Sequence, residues 1–473
     1  MKLYVIVLTC FLHAMISHAQ DSTGYTLQQC IDIAIKHNLD LQVAAYQLDI
    51  AGVNLQQSRA AALPYASAYA NQGINKGKSI NPYTNTFINQ EIITGQYGVN
   101  AGLTLFNGFN LLNTMRQNYF NYEATKMDRE QLKLDITINA MLAYLQVLSC
   151  QEQLSQAASQ VEVSNAQVQR LMILEKNDAV SPSVLYDTKG QLANDKLTYL
   201  SMKSSLATAK ITLGQLIGIH FPSNATFEKT GITVSPIAYG NSAETIISEA
   251  SAALPMVKAA ELRRLSAVKN IHASRALLFP SLSLVGNIGT NYSDAALAQK
   301  LTGSTNQSTD QYVMIGSSQV PVFAPQYEYS SSRISFNDQF TNNLNSYIGL
   351  SLQIPLFNGL KTRSQLSIAK INREQAEVKQ TATNVRLKNN IAQAYNDMSV
   401  SYERYLLLEQ QVSDYSESLK IGTVKFEKGA ITSVDYMIAK NNSDKSKMNL
   451  IASKYEYILK CKVLDYFMGK TVL

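Results

Sequence analysis

Two aspartates, Asp187 and Asp435, each follow shortly after a predicted reversal between long helices, and they are the best-placed candidates for ion chemistry in this chain. Gathered in several copies around an axis, they would make an acidic constriction that favours cations or holds a closed state. Taken singly, each is a carboxylate near a helix N-terminus, where negative charge is favoured anyway. The cysteines Cys30, Cys150 and Cys461 have no metal-ligand spacing, and Cys10 falls in an N-terminal stretch expected to be removed. An odd remainder argues against a disulfide framework or a zinc site. His37, His220 and His272 are far apart, and no phosphate loop, dinucleotide fingerprint or nucleophile motif is present. The sequence therefore predicts no catalytic residue, no cofactor and no metal. A formal charge of +6 over 473 residues, with no basic cluster, gives no support to a nucleic-acid partner.

The first 19 residues read as a secretory signal: Lys2, an apolar stretch from Leu3 to Ile16, then Ser17-His18-Ala19. A membrane anchor fits less well, because Thr9, Cys10 and His13 interrupt a stretch already shorter than the ~20 residues of a spanning helix. Cys10 also lacks a small residue directly before it, which argues against a lipid-modified cysteine. No other stretch is apolar for long enough, so the mature chain is expected to be soluble or to cross a membrane as β-structure.

The elements that position the aspartates occur twice. Leu105-Phe106-Asn107-Gly108 returns as Leu356-Phe357-Asn358-Gly359, an offset of 251 residues that also carries Asn139, Ala143 and Tyr144 onto Asn390, Ala394 and Tyr395. An offset of 216 places Leu63-Pro64 on Phe279-Pro280 and Asn71 on Asn287, so a 35-residue insertion lies between Gly289 and Ile348. Self-similarity of this kind sets the organisation: a first repeat over 20–219, a linker over 220–242 and a second repeat over 243–473.

Each repeat reads helix, strand, loop, strand, very long helix, turn, helix. Neither glycine nor proline occurs from Phe109 to Ser181 or from Leu360 to Ile421, and a helix over 108–177 would be roughly 105 Å long. Such a helix needs partners along its length. Leu154, Ala157, Val161, Ser164, Val168 and Leu171 form a heptad seam, repeated at Tyr405, Leu408, Val412, Tyr415, Leu419 and Gly422. Before each long helix, Val99-Ala101-Leu103-Leu105 and Leu350-Leu352-Ile354-Leu356 alternate with polar or small residues, as one-sided strands do. Ala66-Ala68-Ala70 and Leu282-Leu284-Gly286, after Pro64 and Pro280, give a weaker strand each, and 74–96 and 290–347 read as polar loops. Four strands are long enough to span a bilayer but too few to close a barrel, so membrane-spanning strands would have to be pooled among copies. The helix reversals fall at Asp178-Ala179-Val180-Ser181-Pro182 and Gly429-Ala430-Ile431-Thr432-Ser433.

This ordered, duplicated set resembles the outer membrane efflux protein family, the TolC-like channels. The residues that carry it are the paired Leu-Phe-Asn-Gly motifs, Ala143-Tyr144, Ala394-Tyr395, and the segment from Phe426 through Gly429, Ser433 and Asp435 to Ala439. The resemblance implies a mixed α and β fold: a long α-helical coiled-coil barrel plus an outer-membrane β-barrel formed by a homotrimer, four strands per chain. It implies a passive conduit from periplasm to exterior that sits in outer-membrane lipid. The two reversals would contact a periplasmic adaptor, which connects to an inner-membrane pump of RND or ABC type, and the hairpins would open like an iris. Departures are Asp178 where the second reversal has Gly429, and Asn38-Leu39 and Leu254-Pro255 in place of the family's Asn-Pro. Alternatives are a conduit for type I protein secretion, metal-ion export, and a periplasmic coiled-coil scaffold without a pore.

Overall fold

The computed structural model describes residues 24–80, 85–222, 224–229 and 237–470; the expected signal segment and part of the linker lie outside them. The first repeat contains α1 (Leu27–His37), α2 (Leu39–Ala60), β1 (Tyr65–Asn75), β2 (Lys78–Ile80), β3 (Phe87–Asn89), β4 (Ile92–Phe106), α3 (Asn110–Lys176) and α4 (Pro182–Ile217). The second contains α5 (Ala243–Ala253), α6 (Pro255–Ala276), β5 (Ser281–Ser293), β6 (Leu297–Ile315), β7 (Ser318–Arg333), α7 (Phe336–Asn342), β8 (Asn345–Gln353), α8 (Lys361–Glu427) and α9 (Ser433–Phe467). Compaction cuts across the repeats. One unit gathers the described residues within 1–53, 119–266 and 373–473, and the other gathers those within 54–118 and 267–372.

Each repeat opens with two helices rather than the one expected, and the breaks fall at the two departures from the family pattern. Asn38 ends α1 in an extended conformation and its Oδ1 accepts from Leu41 N at 3.1 Å, so it starts α2. Leu254 ends α5, and Pro255 opens α6 where its missing N–H costs nothing.

In the strand-bearing unit, β1, β4, β5 and β8 form one antiparallel sheet in that order, so β1 and β8 are its edges. The register puts Ala66, Ala101, Gly286 and Ile348 in one row, with Leu103, Leu284 and Leu350 in another on the same face. Ser67, Asn100, Asn287 and Tyr347 lie on the opposite face, where Asn287 Nδ2 donates to Asn100 Oδ1 at 2.6 Å. Tyr65 and Tyr69 lie over Gly102 and Gly98 on the neighbouring strand, where a Cβ would collide with their rings. The Leu-Phe-Asn-Gly motifs are the strand-to-helix turns. Gly108 and Phe109, and again Gly359 and Leu360, have left-handed φ of 65°, 67°, 62° and 64°. Bulky residues rarely adopt that region, and the same strained pair recurs in both repeats. Any side chain at Gly108 would meet Ala276 O at 2.6 Å.

The segments 74–96 and 290–347 are not simple loops. The first contains the short β2–β3 pair, and the second folds as the long β6–β7 ribbon followed by α7. Their Ser, Thr, Gln and Asn content read as loop, but Thr, Tyr and Val interleave with it and sustain extended pairing.

In the helical unit, Ala157, Ser164, Val168 and Leu171 of the first seam are buried, and Gly422 is buried in the second. Tyr144 is fully buried among Leu213, Ile217, Phe221 and Phe227, with its hydroxyl 2.6 Å from Tyr25 O and 2.7 Å from Glu228 O. The Ala-Tyr pair of α3 is thus a structural pin for the segment near Phe227. Nearby, Glu152 accepts from Lys229 Nζ at 2.7 Å, Tyr455 Oη at 2.9 Å and Lys454 Nζ at 3.2 Å. Burial raises its pKa, but those donors outweigh it and hold the carboxyl below its usual range. Cys30, Cys150 and Cys461 are free thiols, and burial pushes Cys30 up to about 12.

Candidate functional site: the helical tips

Both reversals belong to the helical unit and share one backbone design. At the end of α3, Asp178 N donates to Glu175 O at 3.0 Å and Ala179 N to Leu174 O at 2.9 Å; at the end of α8, Gly429 N donates to Phe426 O at 3.0 Å and Ala430 N to Lys425 O at 2.8 Å. Each pair forms a Schellman stop, which requires a left-handed residue at its corner. Asp178 has φ 51° and Gly429 has φ 68°. Aspartate is among the few side chains that tolerate this region, so the substitution leaves the turn unchanged. Asp178, Ala179, Ser181 and Pro182 are exposed and Val180 is half-buried against the Val168–Leu171–Leu185 cluster. Gly429, Ala430 and Thr432 are exposed, and Ile431 and Ser433 are half-buried.

The returning helices start differently. Ser181 is the N-cap of α4 without a side-chain cap bond, and Pro182 supplies the preset φ. Thr432 caps α9 in a reciprocal box with Asp435, whose Oδ2 accepts from Thr432 N at 3.2 Å and from its hydroxyl at 2.7 Å. Those hydrogen bonds draw the Asp435 carboxyl below its ordinary pKa while it stays exposed to solvent. Asp187 instead reaches the other hairpin, accepting from Ser433 Oγ at 3.1 Å. The two aspartates therefore differ within one chain, one closing its own helix and the other tying α4 to α9.

Deeper between the hairpins lies a buried polar cluster that the sequence reading did not single out. Lys440 Nζ donates to Asp195 Oδ2 at 2.9 Å and to Asp444 Oδ2 at 2.6 Å, and the Lys440 and Asp195 side chains are only 5% and 8% exposed. Ser164 Oγ also donates to Asp195, as does Gln191 Nε2 at 2.8 Å, and Gln191 exchanges hydrogen bonds with Asn441. Burial pulls the Lys440 pKa down, but the two carboxylates outweigh it and hold the ammonium above its ordinary value. Arg170 pairs with Glu427 nearer the tips. The polar residues Thr188, Gln191 and Asp195 at helical spacing on α4 were the available signal, as was Ser164 within the first seam. Among the described residues, no group of three or more His, Cys, Asp and Glu side chains could hold a metal ion, and no helix is long and apolar enough to cross a membrane.

The family model for outer membrane efflux proteins matches residues 30–219 and 304–469, which include both tips and all four of the hairpin helices. The chain belongs to the outer membrane efflux protein family. It is therefore an outer-membrane protein that extends into the periplasm. The cation efflux system protein CusC of Escherichia coli is 22% identical over 445 residues, covering 90% of this chain and 82% of its own length. The probable outer membrane lipoprotein SilC of Salmonella typhimurium is 21% identical over 448 residues, covering 91% and 82%. Among solved structures, CusC superposes with a TM-score of 0.75 at 17% identity, covering 94% of this chain and 92% of its own. The outer membrane protein VceC of Vibrio cholerae gives 0.74 at 17%, covering 94% and 97%. These likenesses establish the TolC-like channel fold.

Proposed function

We propose that this family member is the passive outer-membrane conduit of a tripartite efflux system. Three copies pool their four-stranded sheets into a twelve-stranded barrel, and the paired tips dock on a periplasmic adaptor coupled to an inner-membrane pump of RND or ABC type. The observation that carries this reading is the sheet. Among the described residues neither of its edges pairs with a further strand, and Ile348, Leu350 and Leu352 on one face of β8 are 77%, 64% and 62% exposed. Open edges are not tolerated in lipid, and a contiguous apolar face is not tolerated in water. Pooling strands among copies resolves both. Export rather than protein secretion is supported by the relatives: a cation efflux protein is matched over 90% of this chain, while the alkaline protease secretion protein AprF of Pseudomonas aeruginosa is matched over only 36%.

Fractionation of membranes, followed by native mass of the extracted particle, tests this reading. Three chains retained in the outer membrane through high-salt washing is the expected result. A monomer released by salt would replace the channel with a periplasmic scaffold. A second expectation concerns the acidic ring. Three copies of Asp435, exposed and held ionised by Thr432, favour cations at the periplasmic mouth, so Asp435→Asn is expected to lower the cation preference of single channels severalfold. Unchanged conductance and selectivity would leave Asp435 with only its capping role.

A further inference from the structure

The β6–β7 ribbon is the element least explained by a conduit. Its strands have 19 and 16 residues, roughly 50 Å of paired backbone, and among the described residues they pack substantially on no other element. A two-stranded ribbon alone is marginal in water. Its root, however, is firmly built. Gln339, 2% exposed, accepts from Ser293 N at 2.9 Å and donates to Ser293 O and Ile334 O, while Phe336 and Phe340 pack against Tyr97 and Phe336 also against Tyr292. The ribbon is therefore anchored at its base and is a paired element, not a slack loop.

Its two faces differ. The pairing of Leu301 with Tyr329, Ser304 with Tyr327, Ser308 with Phe323 and Tyr312 with Pro321 puts all four of its aromatic residues on one face. Tyr312, Phe323, Tyr327 and Tyr329 are 56%, 60%, 53% and 55% exposed there. The opposite face carries Thr305, Gln307, Gln326 and Ser330 with smaller aliphatics. Pro321 and Pro325 lie in β7, which has no second neighbouring strand among the described residues, and proline blunts a strand edge. The ribbon is thus suited to docking by its aromatic face and not by adding strands.

We infer that this face packs against a second copy of the same chain, so that three ribbons brace one another outside the barrel. The inference rests on the trimer proposed above. The ribbon arises between β5 and β8, and β8 is the edge at which the next copy would join, so identical ribbons emerge at every seam. Lys300 and Arg333 balance Asp310 and Glu328 within the ribbon, which gives a strongly charged partner no purchase. The four aromatics with Leu301 and Met314 offer on the order of 600 Å² per copy, close to one side of a standard interface.

The chain has no tryptophan, so Phe323→Trp introduces a single reporter on this face and Val320→Trp one on the other. In extracted particles reconstituted into lipid nanodiscs, Phe323→Trp is expected to emit at shorter wavelength and to resist acrylamide at least threefold better than Val320→Trp. Tyr327→Ser with Tyr329→Ser should lower the temperature at which the native particle dissociates. Equal quenching of the two reporters in a three-chain particle would overturn the copy contact and leave the conduit standing. The same holds for protection that develops only when outer-membrane extract is added. A one-chain particle would remove both.

Discussion

Efflux is expected to stop, with assembled protein still in the outer membrane, when the exposed tip residues Ala179 and Ala430 are both replaced by tryptophan. The argument separates backbone from surface. Each alanine follows the left-handed corner and donates, through its backbone, the Schellman bond that spans more residues, while its side chain is exposed to solvent. A large side chain leaves that bond intact but covers the short, flat tip that an adaptor would contact. The corner provides the control. Gly429→Asn preserves a residue type that accepts the left-handed region, as Asp178 already does at φ 51°, and is expected to export normally. Gly429→Val strains the same corner by about 1–2 kcal/mol and is expected to fray the end of α8. Susceptibility to a toxic solute exported by cells dependent on this channel, read beside the amount of outer-membrane particle, decides the matter. Full resistance in the double tryptophan variant would show that the tips are not the docking surface.

Much of this architecture was legible because duplication supplies its own control. A single Leu-Phe-Asn-Gly is a weak signal, but two of them at one offset marked both strand-to-helix turns, and the absence of glycine and proline marked both long helices. Period-two alternation gave the sheet faces for Leu103, Leu284 and Leu350, which fall in one row, but Ile354 and Leu356 lie beyond the end of β8 at Gln353. The ribbon was missed because its polar composition imitates a loop when only hydrophobic alternation is sought, although its aromatics alternate within β7. The two helix reversals fall where the sequence put them, with Ser181 as an N-cap, Pro182 in the first turn and Gly429 at a helix end, but the side-chain bonds around them were not legible. Asp435 and Asp187 both follow a reversal closely, but only Asp435 has capping-box spacing from its N-cap, Thr432, and only the three-dimensional arrangement shows Asp187 reaching the neighbouring hairpin. The buried cluster was hidden for a related reason. Lys440 looks like a solvated helix lysine until Asp195 is seen to meet it across 245 residues of chain.

That cluster leads to the second large effect, a channel held open by removal of one cation. Lys440 is the positive charge between two carboxylates, so Lys440→Met leaves Asp195 and Asp444 facing each other across a buried site with nothing to neutralise them. Breaking a buried pair in this way costs about 3–5 kcal/mol, far more than an exposed pair such as Arg404 with Glu456 would contribute. Because Asp195 lies on α4 and Lys440 on α9, the cost falls on the contact between the two hairpins. Single channels of Lys440→Met are expected to conduct severalfold more than the parent and to gate less often, with particle mass unchanged. Adding Asp195→Leu removes one stranded charge and should recover much of the lost hairpin contact, a sign that a general loss of helix stability would not produce. The pH dependence has a definite direction. The folded pKa of Lys440 is raised, so its contribution is complete below the ordinary lysine value and is lost only as pH rises through the raised one. Conductance should therefore be flat across neutral pH and increase above about pH 10.5. A rise centred near pH 7, or parental conductance in Lys440→Met, would place the closing contact elsewhere.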